Sequence, residues 1–302
     1  MTRLLAIAAL LAAPAFTPAY GQSLNLGGSP GAAPQPVNIT AAGGISWSQD
    51  DQTVTASGNA QAVRGDVTVT ADELVAHYHK APATGAVSAA TPAAGLEQGG
   101  GQLTELDAIG HVHIFTPTEN AWGDRAVYSL SQKVLVLTGQ HLKLTTQHDT
   151  VTAKDSIEYY AGDHKAIARG NALIVADDGR SIAADVIVGY FAAQADNAKP
   201  GAKPVAAGSP DALGQAGNLQ KVEAFGHVVI KTTTDTATGD RGIYLPPTGQ
   251  ARLGGNVHII HGPNELEGAD ALVNMKTGVA TLLAGPGGHV SGVVLPNSGK
   301  TK

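Results

Sequence analysis

The chain has 302 residues and no cysteine, so neither disulfides nor thiolate metal sites hold its fold. Aromatic residues make up only 4%. A large compact domain usually carries bulkier core side chains, so this scarcity points to a thin, repetitive β structure. Lys and Arg form no cluster, and the formal net charge is −6. This excludes nucleic acid as a partner, because phosphate contacts need grouped cations. No apolar run reaches the roughly 20 residues of a membrane-spanning helix. The run from Leu4 to Ala13 is about half that length. It follows Arg3 and precedes Pro14, Pro18 and the small-residue ending Ala19-Tyr20-Gly21. This is the order of a secretory signal peptide, so residues 1–21 are expected to be a cleaved export signal.

Repetition is what the sequence has in abundance. A glycine following a short apolar stretch recurs at Gly58, Gly110, Gly139, Gly170, Gly226 and Gly255. The surrounding phrases are ASGNAQA, AIGHVHI, LTGQHLKL, ARGNALI, AFGHVVI and LGGNVHI. About 15 residues after each glycine stands an Asp: Asp72, Asp124, Asp155, Asp185, Asp240 and Asp270. A tyrosine often follows (Tyr78, Tyr128, Tyr159, Tyr190, Tyr244). The period is about 30 residues once two Ala/Pro/Gly-rich segments, 80–102 and 192–218, are set aside. Both begin just after the tyrosine of their unit, so both are expected to hang from one edge as flexible insertions.

Around each glycine, alternate positions are apolar, the period of a half-buried strand. The side chains expected to line the interior are Val54, Ala56, Leu106, Ala108, Val112, Ile114, Leu135, Leu137, Leu142, Leu144, Ile174, Val222, Val228, Ile230, Leu253, Val257 and Ile259. In the third unit Leu142 and Leu144 fall one residue late, which predicts a bulge near Gln140. The second strand of each unit is ambiguous. Leu74, Ala126, Ile157, Ile187 and Leu272 alternate with equally apolar Val75, Val127, Val188, Ile243 and Val273.

Polar residues that resemble chemistry have plainer explanations. The six Asp residues recur once per unit at fixed phase and are expected to be structural, satisfying backbone donors near turns. His111 and His113 align with Asn, Gln, Leu, Val and His in other units and face away from the apolar side, so no metal site is assigned. Asp177-Asp178 beside Arg180 reads as a turn, and neither an H-E-x-x-H nor a P-loop pattern occurs. No cofactor is expected. Repeats of this length stack into a β-solenoid or a rolled sheet, with the apolar side forming either a packed core or a groove.

The phrases G-N/H-V-x-I, followed by A/G-D and then a tyrosine, resemble the OstA-like family from about Gln52 to Leu283. The resemblance implies an all-β fold: repeated antiparallel strands rolled into an elongated β-jellyroll or β-taco, solenoid-like and open along one side. It implies a periplasmic, non-enzymatic transport protein that shields the lipid A acyl chains of lipopolysaccharide in an apolar groove. The implied partners are an inner-membrane LptC-like anchor protein and an outer-membrane LptD-like translocon, with end-to-end self-association also possible on that plan. On this basis residues 22–36 form a flexible tail, 37–295 the repeat domain and 296–302 a second tail. The first strand, around Val37–Trp47, and the last, around Thr281–Val294, are the expected docking edges. The alternatives are an exported structural or adhesive solenoid and a polysaccharide-processing parallel β-helix enzyme.

Overall fold

The computed structural model of the chain describes residues 37–80, 101–192, 219–274, 277, 279–285 and 288–293. Residues 1–36, 81–100, 193–218 and 294–302, which include the expected signal, both tails and most of both insertions, lie outside the described residues. Among the described residues there is no helix, and eighteen strands form one sheet. Strands β1 (Asn38–Thr40) and β2 (Gly44–Ser48) lead into β3 (Thr53–Arg64), β4 (Val67–Lys80), β5 (Gly101–Phe115) and β6 (Asn120–Ser129). Four short strands follow: β7 (Val134–Thr138), β8 (Leu142–Thr145), β9 (Asp149–Ala153) and β10 (Ser156–Tyr160). Long strands then resume as β11 (Lys165–Ala176), β12 (Ser181–Phe191), β13 (Leu219–Lys231), β14 (Asp235–Leu245), β15 (Gln250–His261) and β16 (Asn264–Asn274). The sheet ends with β17 (Val279–Leu283) and β18 (Ser291–Val293). Ordered strand reaches further than expected beside the insertions, since β4 runs to Lys80 and β5 begins at Gly101.

Every pairing is antiparallel, and successive long strands are neighbours, so the chain runs up and down as a rolled meander rather than a parallel solenoid. The short strands are long strands broken at mid-length. β6 pairs with both β7 and β8, and β11 with both β10 and β9.

The break or bend falls at the repeated glycine. Register shifts occur at Ser57/Ala60, Ile109/Val112, Arg169/Ala172, Phe225/Val228 and Gly254/Val257. At Gly110 φ is +78°, and at the following His111 it is +47°. Gly226 and His227 repeat this at +75° and +46°. Two consecutive left-handed residues turn a strand sharply. Glycine takes the first place without strain, and Asn or His is tolerated at the second. A bulge is therefore present in the five other units, and not in the third, where the sequence pattern places it. In the third, Gly139–Gln140–His141 interrupts the strand altogether, between β7 and β8.

The Asp residues are structural, but by a longer reach than a local turn. A Cβ on Gly110 would collide with the Asp72 carboxylate, one on Gly226 with Asp185, and one on Gly255 with Asp240. Each Asp thus caps the glycine corner of the next strand. His111 Nδ1 lies 2.8 Å from Asp72 Oδ2, His227 Nδ1 lies 2.9 Å from Asp185 Oδ2, and Asn256 Nδ2 donates to Asp240 Oδ2 at 2.9 Å. At the interrupted corner the Gln140 N–H donates to Asp124 Oδ2 at 2.8 Å.

The sixth Asp departs from this scheme. Ala269 occupies the corner against Gly285, while Asp270 shifts one place and accepts from Arg252 Nη2 at 3.1 Å. That slip turns Leu272 outward, 47% exposed, and leaves Ala271 fully buried in its stead. Of the ambiguous second-strand positions, Ala126, Ile157 and Ile187 join the core, and Leu74 and Val273 pack against it.

Candidate binding interior

Each bend divides a strand into two arms. The first arm holds residues before the glycine, such as Leu135 and Leu137. The second holds residues after it, such as Val112, Ile114 and Leu144. Side chains from both arms belong to one apolar cluster. At the arm tips, burial raises the Tyr128 hydroxyl above its ordinary pKa of 10.0, and the nearby Arg64 charge on the opposite arm works against that rise. The sheet is therefore folded on itself, with its apolar faces inward.

Of the side chains expected to line the interior, Ala108, Val112, Ile114, Leu137, Leu142, Leu144, Val222, Val228, Ile230, Leu253, Val257 and Ile259 are buried in that cluster. Leu135 and Ile174 pack against it. Ala56 is buried outside the cluster, and Val54 and Leu106 are half-buried. Val112, Val228, Leu253 and Val257 are the largest side chains fully sealed from solvent. A ligand reaching those four must part the arms.

Elsewhere the arms do not close completely. A pocket lies between them, lined by Leu135, Leu137, Ile157 and Ala166 of the first arm and Ile114, Ala121 and Leu144 of the second. Tyr159, Glu119 and Glu158 complete its lining. Apart from these three the lining is hydrocarbon, and burying a methylene there contributes roughly 0.8 kcal/mol. Sequence patterning indicated most of this lining but missed Glu119, which is only 2% exposed. Glu119 sits in the tight turn between β5 and β6, where its N–H donates to Thr116 Oγ1 at 3.1 Å. No periodicity marks a polar residue at such a place.

Polar side chains around the apolar cluster pair with one another. Glu158 accepts from Ser156 Oγ at 2.8 Å, Tyr160 Oη at 2.8 Å and Arg169 Nε at 2.9 Å. Burial alone would raise its carboxyl, but these three donors hold it below 4.5. His113 stacks between Phe115 and Trp122, with centroids 4.6 and 4.9 Å away, on the outer face. Asp178 accepts from Arg180 Nε at 2.6 Å and from the Arg180 N–H at 3.1 Å, so this exposed group closes a turn as expected.

A family model described as LptA/(LptD N-terminal domain) LPS transport protein matches residues 39–162 and again 155–279. The chain belongs to this family. Its LPS-transport family domain thus occurs twice, and the sheet runs through the overlap from β10 to β11 without interruption. This duplication was legible but escapes a reading by single repeats. The residue after the glycine runs Asn59, His111, Gln140 in the first half and Asn171, His227, Asn256 in the second, and each half has its insertion after the first of the three.

Among solved structures the chain is similar to LptH, described as the LptA homologous periplasmic component of the lipopolysaccharide transport device from Pseudomonas aeruginosa. Identity is 14% and the TM-score 0.37, over 49% of this chain and 95% of that one. No curated protein matches.

Proposed function

We propose that this protein carries lipopolysaccharide in the periplasm, holding lipid A acyl chains between the two arms while the saccharide and phosphates stay in water. The observation that carries this reading is the apolar pocket between Leu135, Leu137 and Ile157 on one arm and Ile114 and Leu144 on the other. A hydrocarbon lining binds acyl chains without specific polar contacts, because the gain scales with apolar area removed from water. The net negative chain offers no general attraction to anionic headgroups, so affinity resides in the chains. The protein acts as a carrier, not an enzyme.

The ends of the sheet suit docking to an inner-membrane LptC-like anchor, an outer-membrane LptD-like translocon or another copy. Ile45 and Trp47 on β2 are 50% and 52% exposed, and Val279 and Val293 at the far end are 60% and 62% exposed. A sheet end bearing apolar side chains and unpaired backbone groups is completed by strand addition.

Competition binding tests the acyl-chain assignment. A fluorescent lipid A bound to the protein should be displaced by unlabelled lipid A and not by fully deacylated lipopolysaccharide. Equal displacement by the deacylated saccharide would place recognition in the headgroup and reject the reading.

A further inference from the structure

At matching positions on the outer face the two halves of the chain place side chains of different charge. In the second half Tyr190 pairs with Lys221 across β12 and β13, and Glu223 stands opposite Val188. Lys221 Nζ and Tyr190 Oη both donate to the Glu223 carboxylate at 2.9 Å, so the cluster neutralises itself. The matching positions of the first half are His77 paired with Glu105 and Asp107 opposite Val75. An imidazole replaces the phenol, and a carboxylate replaces the ammonium. The permanent cation beside Asp107 is Arg125, whose Nη2 donates to Asp107 Oδ1 at 3.1 Å.

We propose that His77, Glu105 and Asp107 bind one divalent transition-metal ion of the Zn2+ type. Their donor atoms all lie within 4.8 Å of one another. His77 Nε2 and Asp107 Oδ2 are 3.4 Å apart, longer than a direct hydrogen bond of about 2.7–3.2 Å. Two ligands at about 2.0–2.1 Å from a tetrahedral Zn2+ stand about 3.4 Å from each other. Glu105 supplies the third ligand atom, within 4.8 Å of the other two, and water would take the fourth position. Arg125 fixes the Asp107 carboxylate with its second oxygen towards His77, the orienting role that ligating carboxylates usually need. The imidazole selects a transition metal over Mg2+ or Ca2+. The Asp107 side chain is 9% exposed and that of His77 39%, so the ion enters from the His77 side. Bound there, it ties β4 to β5 where these strands flank residues 81–100, and it stabilises the folded state by mass action.

The test is calorimetric titration of the metal-free full chain with Zn2+, with Co2+ absorption as a second readout of coordination geometry. One site per chain is expected, with tetrahedral Co2+ bands and a melting temperature that rises with Zn2+. His77→Ala should weaken binding about tenfold or more. Glu105→Lys copies the second half's own solution, so it should abolish the site while leaving metal-free melting unchanged. His148→Ala, at an exposed His–Asp pair elsewhere, should bind as the parent does. Absence of binding, or equal Zn2+ affinity in the parent and Glu105→Lys, overturns the assignment.

Discussion

Gly110 and His111 show how much of this protein's pattern is backbone geometry rather than chemistry. Both residues are left-handed, and Asp72 fills the space where a glycine Cβ would stand. That explains why Asn and His alternate after the glycine, because both tolerate this conformation and reach the capping Asp. Backbone conformation and the capping Asp thus account for histidines that a motif search would take for ligands. Gly110→Ala should cost about 1–3 kcal/mol through backbone strain alone, and more through the collision with Asp72. In urea denaturation, the penalty should shrink when Asp72→Ala is present. An equal penalty in both backgrounds would mean that Asp72 does not cap this corner.

At the scale of strands, the first half of each unit was readable and the second was not. Before and after the glycine, the positions of Ala108, Val112 and Ile114 are apolar from unit to unit while those between them vary, which sets the inner face directly. In the second strands Val75, Val127 and Val188 lie on the outer face beside long polar side chains, so both faces carry apolar residues and the alternation vanishes. Cross-strand partners were equally hidden, since pairing between Asp72 and Gly110 depends on register rather than on local pattern.

The β10–β11 pair shows how such register produces stability. Glu158 is buried, and donors from both strands hold its carboxyl below its ordinary value of 4.5. A carboxylate with a lowered folded pKa stabilises above the unfolded value and loses that contribution as pH falls through the folded one. Glu158→Gln should therefore lower stability at pH 7 by about 1–3 kcal/mol. The variant should also lack the parent's loss below pH 4.5. Parallel urea midpoints for the two proteins across that range would exclude the network as the cause.

For the whole molecule, two family domains continue each other as one sheet, so one apolar cluster runs through both. The repeating glycine and Asp revealed the family and the rolled β fold. The duplication emerges only when units are compared in order, and the charge reversal at Glu105 only when the halves are superposed strand by strand. The proposed carriage of lipid A rests on the extended apolar interior, and a photo-crosslinker tests it most directly. Placed at Ile114, which lines the pocket, or at Ile230, buried in the same cluster, it should label lipid A acyl chains. Placed at His113 on the outer face, it should not. Equal labelling at the inner and outer positions, or none at either inner position, would contradict an acyl-binding interior.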